Sequence, residues 1–333
     1  MPDDIVLKQI CPVLPGSVRR AVEQMSPTAR AGLNEIRLRR GRQVCVVMDG
    51  ADMCLEGGVP ESLIVTDAMM AEAVRLVTAS SVYALQRELS QGYVTLPGGH
   101  RVGIVGRAVA DEGHVRTQTD IGSLNYRIAR SMPGVADAVM SYVLRKGVAD
   151  VRVLVVSPPG DGKTTLLRDI ARQLASGALG RPPVRVGIVD ERSEIAACTG
   201  GMPGHDVGLA CDVIEGCPKP EGISILIRSM APRVIVTDEI GGAADAEALF
   251  EASRSGVGVV ASAHASSWEQ AMARPVLASA VGAGAFHTCL TLSRRAGVVL
   301  CHRVLDVATG RNLLQRPLPL VASGERGASH GHR

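Results

Sequence analysis

Apolar and polar positions change their period twice along the chain. Ile36-Arg37-Leu38-Arg39 alternates, and Val44-Cys45-Val46-Val47 follows after Gly41, a pattern that predicts two strands and a turn between Glu35 and Met48. Thr66-Asp67 then caps a predicted long helix, whose apolar positions Met69, Ala73, Leu76 and Val77 keep helical spacing and which ends near Gly92. Val94-Thr95-Leu96, the turn Pro97-Gly98-Gly99 and the alternation from Arg101 to Val109 predict a β-hairpin, with a further strand over Leu124–Ile128. These elements describe an α+β domain over residues 1–134.

A helix is predicted from Val135 to Lys146, stopped by Gly147. Beyond it the texture differs. Val151–Val156 is a nearly continuous β-branched run, which suits a strand buried on both faces of a parallel sheet. Similar runs return at Val184–Val189, Val234–Val236 and Val257–Ala261, interleaved with helical stretches at Thr164–Leu174 and Ala243–Ser253. That rhythm predicts an α/β sheet wound with right-handed crossovers over residues 135–316. Residues 317–333, rich in Gly, Ser, His and Arg, read as a flexible C-terminal tail.

Composition narrows the function classes. The 333 residues suffice for two globular domains, and 46% hydrophobic with 21% charged residues excludes global disorder. No apolar run reaches the roughly 18–20 residues of a membrane span, and Met1-Pro2-Asp3-Asp4 lacks a basic signal region, so a cytoplasmic location is expected. The eight cysteines form no C-x-x-C pair and are expected as thiols, and Cys198, His205, Cys211 and Cys217 match no usual zinc spacing. A net charge of +3 and an aromatic content of 2% both disfavour nucleic acid as the partner.

The strongest chemical signal is Ser157-Pro158-Pro159-Gly160-Asp161-Gly162-Lys163-Thr164-Thr165, placed directly after a buried strand and before a helix. Pro159 to Thr165 make a phosphate loop: amide hydrogens of a Gly-containing turn and the positive end of a helix face an anion. Lys163 supplies a point charge for β- and γ-phosphates, and Thr164 a hydroxyl for Mg²⁺. The first Gly of the usual pattern is replaced by Ser157, so the turn entry must tolerate a side chain.

Val234-Ile235-Val236-Thr237-Asp238-Glu239 ends a strand on two carboxylates, where ligands of open α/β sheets bind. Asp238 is the candidate metal ligand, and Glu239 the candidate to orient or deprotonate the attacking water. Glu191, in Asp190-Glu191-Arg192-Ser193-Glu194, competes for that role, although solvated charges at a helix start would give the same sequence. His264, just past another buried run, is placed to sense a γ-phosphate, or is simply a satisfied structural imidazole. Arg101, Arg107, Arg127 and Arg130 are candidates for a cation supplied to a neighbouring subunit's site, with Arg228, Arg294 and Arg295 of similar weight.

Taken in order, the phosphate loop, Asp190-Glu191, Asp238-Glu239 and His264 resemble the phosphate loop, "Asp box", Walker B and "His box" of the secretion-ATPase branch of P-loop NTPases. Leu96-Pro97-Gly98-Gly99-His100-Arg101-Val102-Gly103, Ser123 to Arg130, Val189 to Ile195, Cys217-Pro218-Lys219 and Ile227-Arg228-Ser229-Met230 narrow the resemblance to the stage III sporulation protein AA family. It spans roughly residues 30–310. The resemblance implies a RecA-like P-loop NTPase domain behind a smaller N-terminal α+β domain. It further implies ATP hydrolysis with Mg²⁺, a homo-oligomeric ring of six copies, and docking from the cytosol on membrane-embedded channel or secretion proteins. The family's presumed role is at the channel between mother cell and forespore. The runner-up readings are a RecA-like nucleic-acid translocase and a nucleotide-binding scaffold with little turnover. The family pattern also leads one to expect an Arg shortly after Phe286, where Thr288 stands; Arg294 and Arg295 are the residues that would compensate.

Overall fold

The computed structural model describes residues 4–48, 51–55, 63–78, 92–111, 114–129, 132–198, 200–295 and 298–321. The chain divides into two compact units, Met1–Arg130 and Ser131–Arg333.

The first unit is an antiparallel six-stranded sheet in the order β3-β2-β1-β6-β5-β4. Its strands are β1 (Leu33–Arg39), β2 (Cys45–Met48), β3 (Ala51–Cys54), β4 (Tyr93–Leu96), β5 (His100–Asp111) and β6 (His114–Arg127). Period-two alternation decides the faces. Ile36, Leu38, Val46, Val94, Val102, Ile104, Leu124 and Tyr126 are buried in one cluster with Val18, Val22, Met70 and Ala73 of the helices Gly16–Gln24 and Asp67–Val77. Thr66 caps the latter helix as expected, accepting from Met69 N at 3.2 Å. That helix ends at Val77, and residues 79–91, where its continuation was expected, lie outside the described residues. Glu35, Arg37, Asn125 and Arg127 share a polar network in which Glu35 accepts from Arg37 and from Asn125, with Arg127 at 3.7 Å.

The second unit carries an eight-stranded sheet in the order β14-β13-β12-β7-β11-β10-β8-β9. Its strands are β7 (Arg152–Ser157), β8 (Val186–Asp190), β9 (Cys211–Glu215), β10 (Val234–Glu239), β11 (Gly258–His264), β12 (Thr288–Arg295), β13 (Val298–Asp306) and β14 (Leu318–Pro319). The six from β9 to β12 run parallel, and β13 and β14 close the far edge antiparallel. Strand β7 is fully buried from Val153 to Val156, because two apolar clusters sandwich the sheet. Helix Lys163–Ser176 lies in one cluster through Leu166, Leu167 and Ile170, and helix Ala243–Arg254 in the other through Ala246 and Leu249.

Two expectations need correction. The segment from Val135 to Lys146 is helical only over Met140–Val143 and otherwise consists of turns. Several of its backbone bonds span three residues, as in Val139 N to Ala136 O, while Ala136 N donates to Asp169 Oδ2 at 2.8 Å. Burial of Val135, Ala136, Val139, Met140, Val143 and Leu144 in the core sets this path, overriding helical periodicity. In the stretch read as a tail, Leu318 and Pro319 pair with Cys301 and Leu300 of β13, because Leu320 finds a buried seat; residues 322–333 lie outside the described residues.

All eight cysteines are free thiols. Burial pushes Cys289, Cys301 and Cys211 up to about 12, whereas Cys54 is exposed. Since the thiolate is the reactive form, only about 10⁻⁴ of such buried groups is ionised at pH 8. Brief iodoacetamide treatment of the native chain at that pH is expected to label Cys54 and spare Cys289 and Cys301. Peptide mass spectrometry reads the pattern, and equal labelling would contradict the packing described above.

Candidate functional site

Four parallel strands end on one edge of the second sheet, and each delivers a polar group there. Registration fixes their neighbours: His264 lies opposite Ser157, Glu239 opposite Ser262, and Thr237 opposite Val189. Open α/β sheets bind ligands at this carboxyl edge, because loops and helix starts rather than closed ladder bonds occupy it.

From β7 the chain turns through residues 158–162 into helix Lys163–Ser176. The turn needs left-handed backbone at Gly160 and Gly162, with φ of +81° and +83°. Among the described residues, no backbone N–H from Gly160 to Thr165 donates to a protein acceptor. These orphan donors point to an anion as their partner. Ser157 causes no strain: it is buried, lacks a positive φ, and its hydroxyl lies 3.2 Å from Lys163 Nζ. The Lys163 ammonium also donates to the carbonyls of Ser157 and Pro158, each at 2.8 Å, and to His264 Nδ1 at 2.8 Å. Burial brings this ammonium down to about 8, against the pull of Glu239 and Asp161.

His264 joins the loop to the acids. With Nδ1 accepting from Lys163, its proton sits on Nε2, which faces Glu239 Oε2 at 3.2 Å. Asp238 is buried beside Glu239 at the end of β10. Burial raises its carboxyl to about 6, with Lys219 opposing the shift and Asp190 and Glu194 adding to it. Lys219 Nζ stands 3.0 Å from Asp238 Oδ1 and 2.5 Å from Glu191 Oε2. Burial alone would lower this lysine; the hydrogen bond to Glu191 and the charge of Asp238 raise it. Lys219 stood in the sequence only as part of Cys217-Pro218-Lys219. A lysine on the first turn of a helix, against the helix dipole, was the signal that it answers local acids.

Asp190 and Glu191, adjacent in sequence, differ in environment. Asp190 has no exposed surface. Its Oδ1 accepts from Glu194 N, and its Oδ2 from the amides of Ile195, Ala196 and Ala197, at 2.8 to 3.3 Å. Arg168, on the helix that leaves the phosphate loop, donates to the carbonyls of Ile195 and Glu194. The segment 191–198 is thus a folded loop pinned from both sides rather than a helix start, with Glu191 and Arg192 exposed at its beginning.

The remaining candidates are dispersed. Arg294 donates from Nη2 to Gly160 O at 3.2 Å and places Nε 3.9 Å from Asp161, so it closes over the phosphate loop. Thr288 is paired with Val153 near the start of β7, at the opposite edge of the sheet, and its hydroxyl accepts from Arg145. An arginine side chain at that register would sit far from the loop, and Arg294 is the residue that β12 carries to it. Arg228 bonds its own helix at Ser224 O and Arg295 is exposed. In the first unit Arg127 pairs with Glu35, Arg101 lies over the Tyr93 ring at 4.7 Å, Arg107 is exposed, and Arg130 falls outside the described residues.

Comparison with known proteins accords with this geometry. The family model described as "Sporulation stage III, protein AA" matches residues 6–305. Stage III sporulation protein AA of Bacillus subtilis (strain 168) is 39% identical over 304 residues, covering 90% of this chain and 95% of the relative. Among solved structures, the ATPase DotB of Legionella pneumophila superposes with a TM-score of 0.58 at 15% identity, over 92% of this chain and 80% of that one. The pilus retraction motor PilT, solved with bound ADP, gives 0.55 at 14% identity, over 83% and 76%. The fold is therefore that of the RecA-like secretion ATPases. No helix among the described residues is long and apolar enough to cross a membrane.

Proposed function

The chain belongs to the stage III sporulation protein AA family, and from that premise we propose that it is a Mg²⁺-dependent ATPase whose turnover drives or assembles a membrane channel complex. The orphan amides of Gly160–Thr165, converging with the Lys163 ammonium and the acids of β10, carry this reading. A triphosphate satisfies those donors, and Lys163 moves from the loop carbonyls to the β- and γ-phosphates. Pro159 shapes the turn, and Thr165 and its neighbours contribute amides. The hydroxyl of Thr164 and the carboxylate of Asp238 are hard oxygen donors of the kind Mg²⁺ takes. When bound, the metal supplies positive charge to the phosphate oxygens.

Glu239 takes the water-orienting role in this reading. Its carboxylate faces a neutral imidazole, whereas Glu191 is tied to Lys219. His264 links that acid to the phosphate-binding lysine and so reports γ-phosphate occupancy to it. Arg127 of a neighbouring copy in a homo-oligomeric ring, six-membered as in the resemblance, is proposed to add the cation in trans. The complex served is proposed to be the channel between mother cell and forespore, reached from the cytoplasmic side.

Glu239→Gln is expected to cut phosphate release by about 10²–10⁴-fold, the usual worth of a positioned acid or base. Binding of a fluorescent non-hydrolysable ATP analogue should stay within a few-fold of the unmodified chain. Retained hydrolysis in Glu239→Gln with loss in Glu191→Gln would transfer the role to Glu191. An unmodified chain that binds the analogue yet releases no phosphate, alone or with membrane partners, would overturn the enzymatic reading.

A further inference from the structure

Lys219 is 5% exposed, sits on the first turn of its helix and carries its charge against the helix dipole. Burying a charge is costly unless it is paired, and here two acids from different elements meet it. Asp238 ends β10, Glu191 opens the loop that follows β8, and their oxygens lie 3.0 and 2.5 Å from the one ammonium. Neither Asp190 nor Glu239 shares in this pairing: Asp190 is consumed by four amides, and Glu239 by His264 and, at 3.9 Å, by Arg192.

We propose that Lys219 is a tethered counter-cation for the metal-binding acid. It clamps Glu191 against Asp238 in the metal-free chain and sets how strongly the site takes up Mg²⁺. The inference rests on the reading that Asp238 faces a nucleotide's metal ion. A divalent cation arriving at Asp238 meets the lysine's like charge, so uptake by the empty protein is weak. A bound nucleotide brings its own negative charge, which shifts this balance, so Mg²⁺ enters with the triphosphate rather than before it. Lys219 is a positioning residue: it touches the acids, not the reacting atoms.

The test uses Mg²⁺ alone, without nucleotide, on the full chain. Thermal unfolding is followed across a MgCl₂ titration for the unmodified protein, Lys219→Met and Lys219→Arg. Even at the dielectric of water, removing a unit positive charge a few ångströms from a divalent ion is worth about tenfold in affinity. Lys219→Met is therefore expected to gain a Mg²⁺-dependent rise in melting temperature whose midpoint lies at least about tenfold lower than in the unmodified chain. Lys219→Arg, which keeps the charge, should behave like the unmodified chain. A merely structural ion pair predicts equal loss of stability at every Mg²⁺ concentration, and that result would overturn the proposal.

Should Lys219→Met fail to fold in EDTA, either Mg²⁺ or the second change Glu191→Gln must restore a cooperative melt; failure of both would also overturn it. The two readings fail separately. Lys219→Met with the new Mg²⁺ response, in a chain that binds no ATP analogue, supports the counter-cation and removes the nucleotide. Analogue binding with identical Mg²⁺ responses in all three proteins removes only the counter-cation.

Discussion

Lys163→Ala is expected to abolish ATP hydrolysis and to weaken binding of a non-hydrolysable analogue by about a hundredfold or more. The substitution deletes the ammonium that, among the described residues, alone reaches the loop carbonyls and His264 together. Charge-assisted hydrogen bonds are worth roughly 1.5–3 kcal/mol each, and two lost to a triphosphate account for that drop in affinity. Hydrolysis falls further, because the lysine also stabilises charge that develops on the transferred phosphoryl group. Fold should be preserved, since both released carbonyls keep another donor: Ser157 O accepts from Ala265 N at 3.3 Å and Pro158 O from the Ser157 hydroxyl at 2.9 Å. Phosphate release and analogue titration on the same preparation check both halves. Undiminished turnover would show that the bend after β7 is not where the triphosphate sits.

Asp190→Ala is expected to destabilise the second unit by about 3–5 kcal/mol, since several buried N–H groups lose a charged acceptor at once. Asp190 reaches the amides of Glu194, Ile195, Ala196 and Ala197 with its two oxygens, and none of the carboxylate is exposed. Asn is a poor rescue. Its NH₂ group would face at least one of those donors, placing donor against donor. For a unit of about 200 residues the loss corresponds to a fall of roughly 10 °C in melting temperature. Denaturant unfolding of Asp190→Ala and Asp190→Asn measures it, and a change below about 1 kcal/mol in both would contradict the latch. Loss of the latch would also free the carbonyls that Arg168 holds. The phosphate-loop helix would then be uncoupled from the loop bearing Glu191.

Much of the candidate site is legible from the chain because each part follows an apolar run. Val151–Val156, Val186–Val189, Val234–Val236 and Val257–Ala261 become β7, β8, β10 and β11, and the polar residues after each run stand at the carboxyl edge. Strand β9 is less legible, since Cys211–Glu215 is a half-buried edge strand without the β-branched density of the inner ones. The short helix at Met140–Val143 shows the opposite failure, where correct apolar spacing yields turns because core packing outweighs local preference.

Pairing between distant residues is another matter. Spacing gave no sign that Asp190 serves backbone amides while Glu191 serves Lys219, although the two are neighbours in the chain. Thr288 stands where the family pattern leads one to expect an Arg, but the register of β12 on β7 carries it to the far edge and brings Arg294 over Gly160 and Asp161 instead.

The order of apolar runs, the Gly160 and Gly162 turn and the identities of the acids were determined by the sequence, since local periodicity and backbone sterics need no distant partner. Tertiary structure alone decided which of these polar groups meet. That choice depends on strand order and register, which bring residues 28, 101 and 133 positions apart within hydrogen-bond reach.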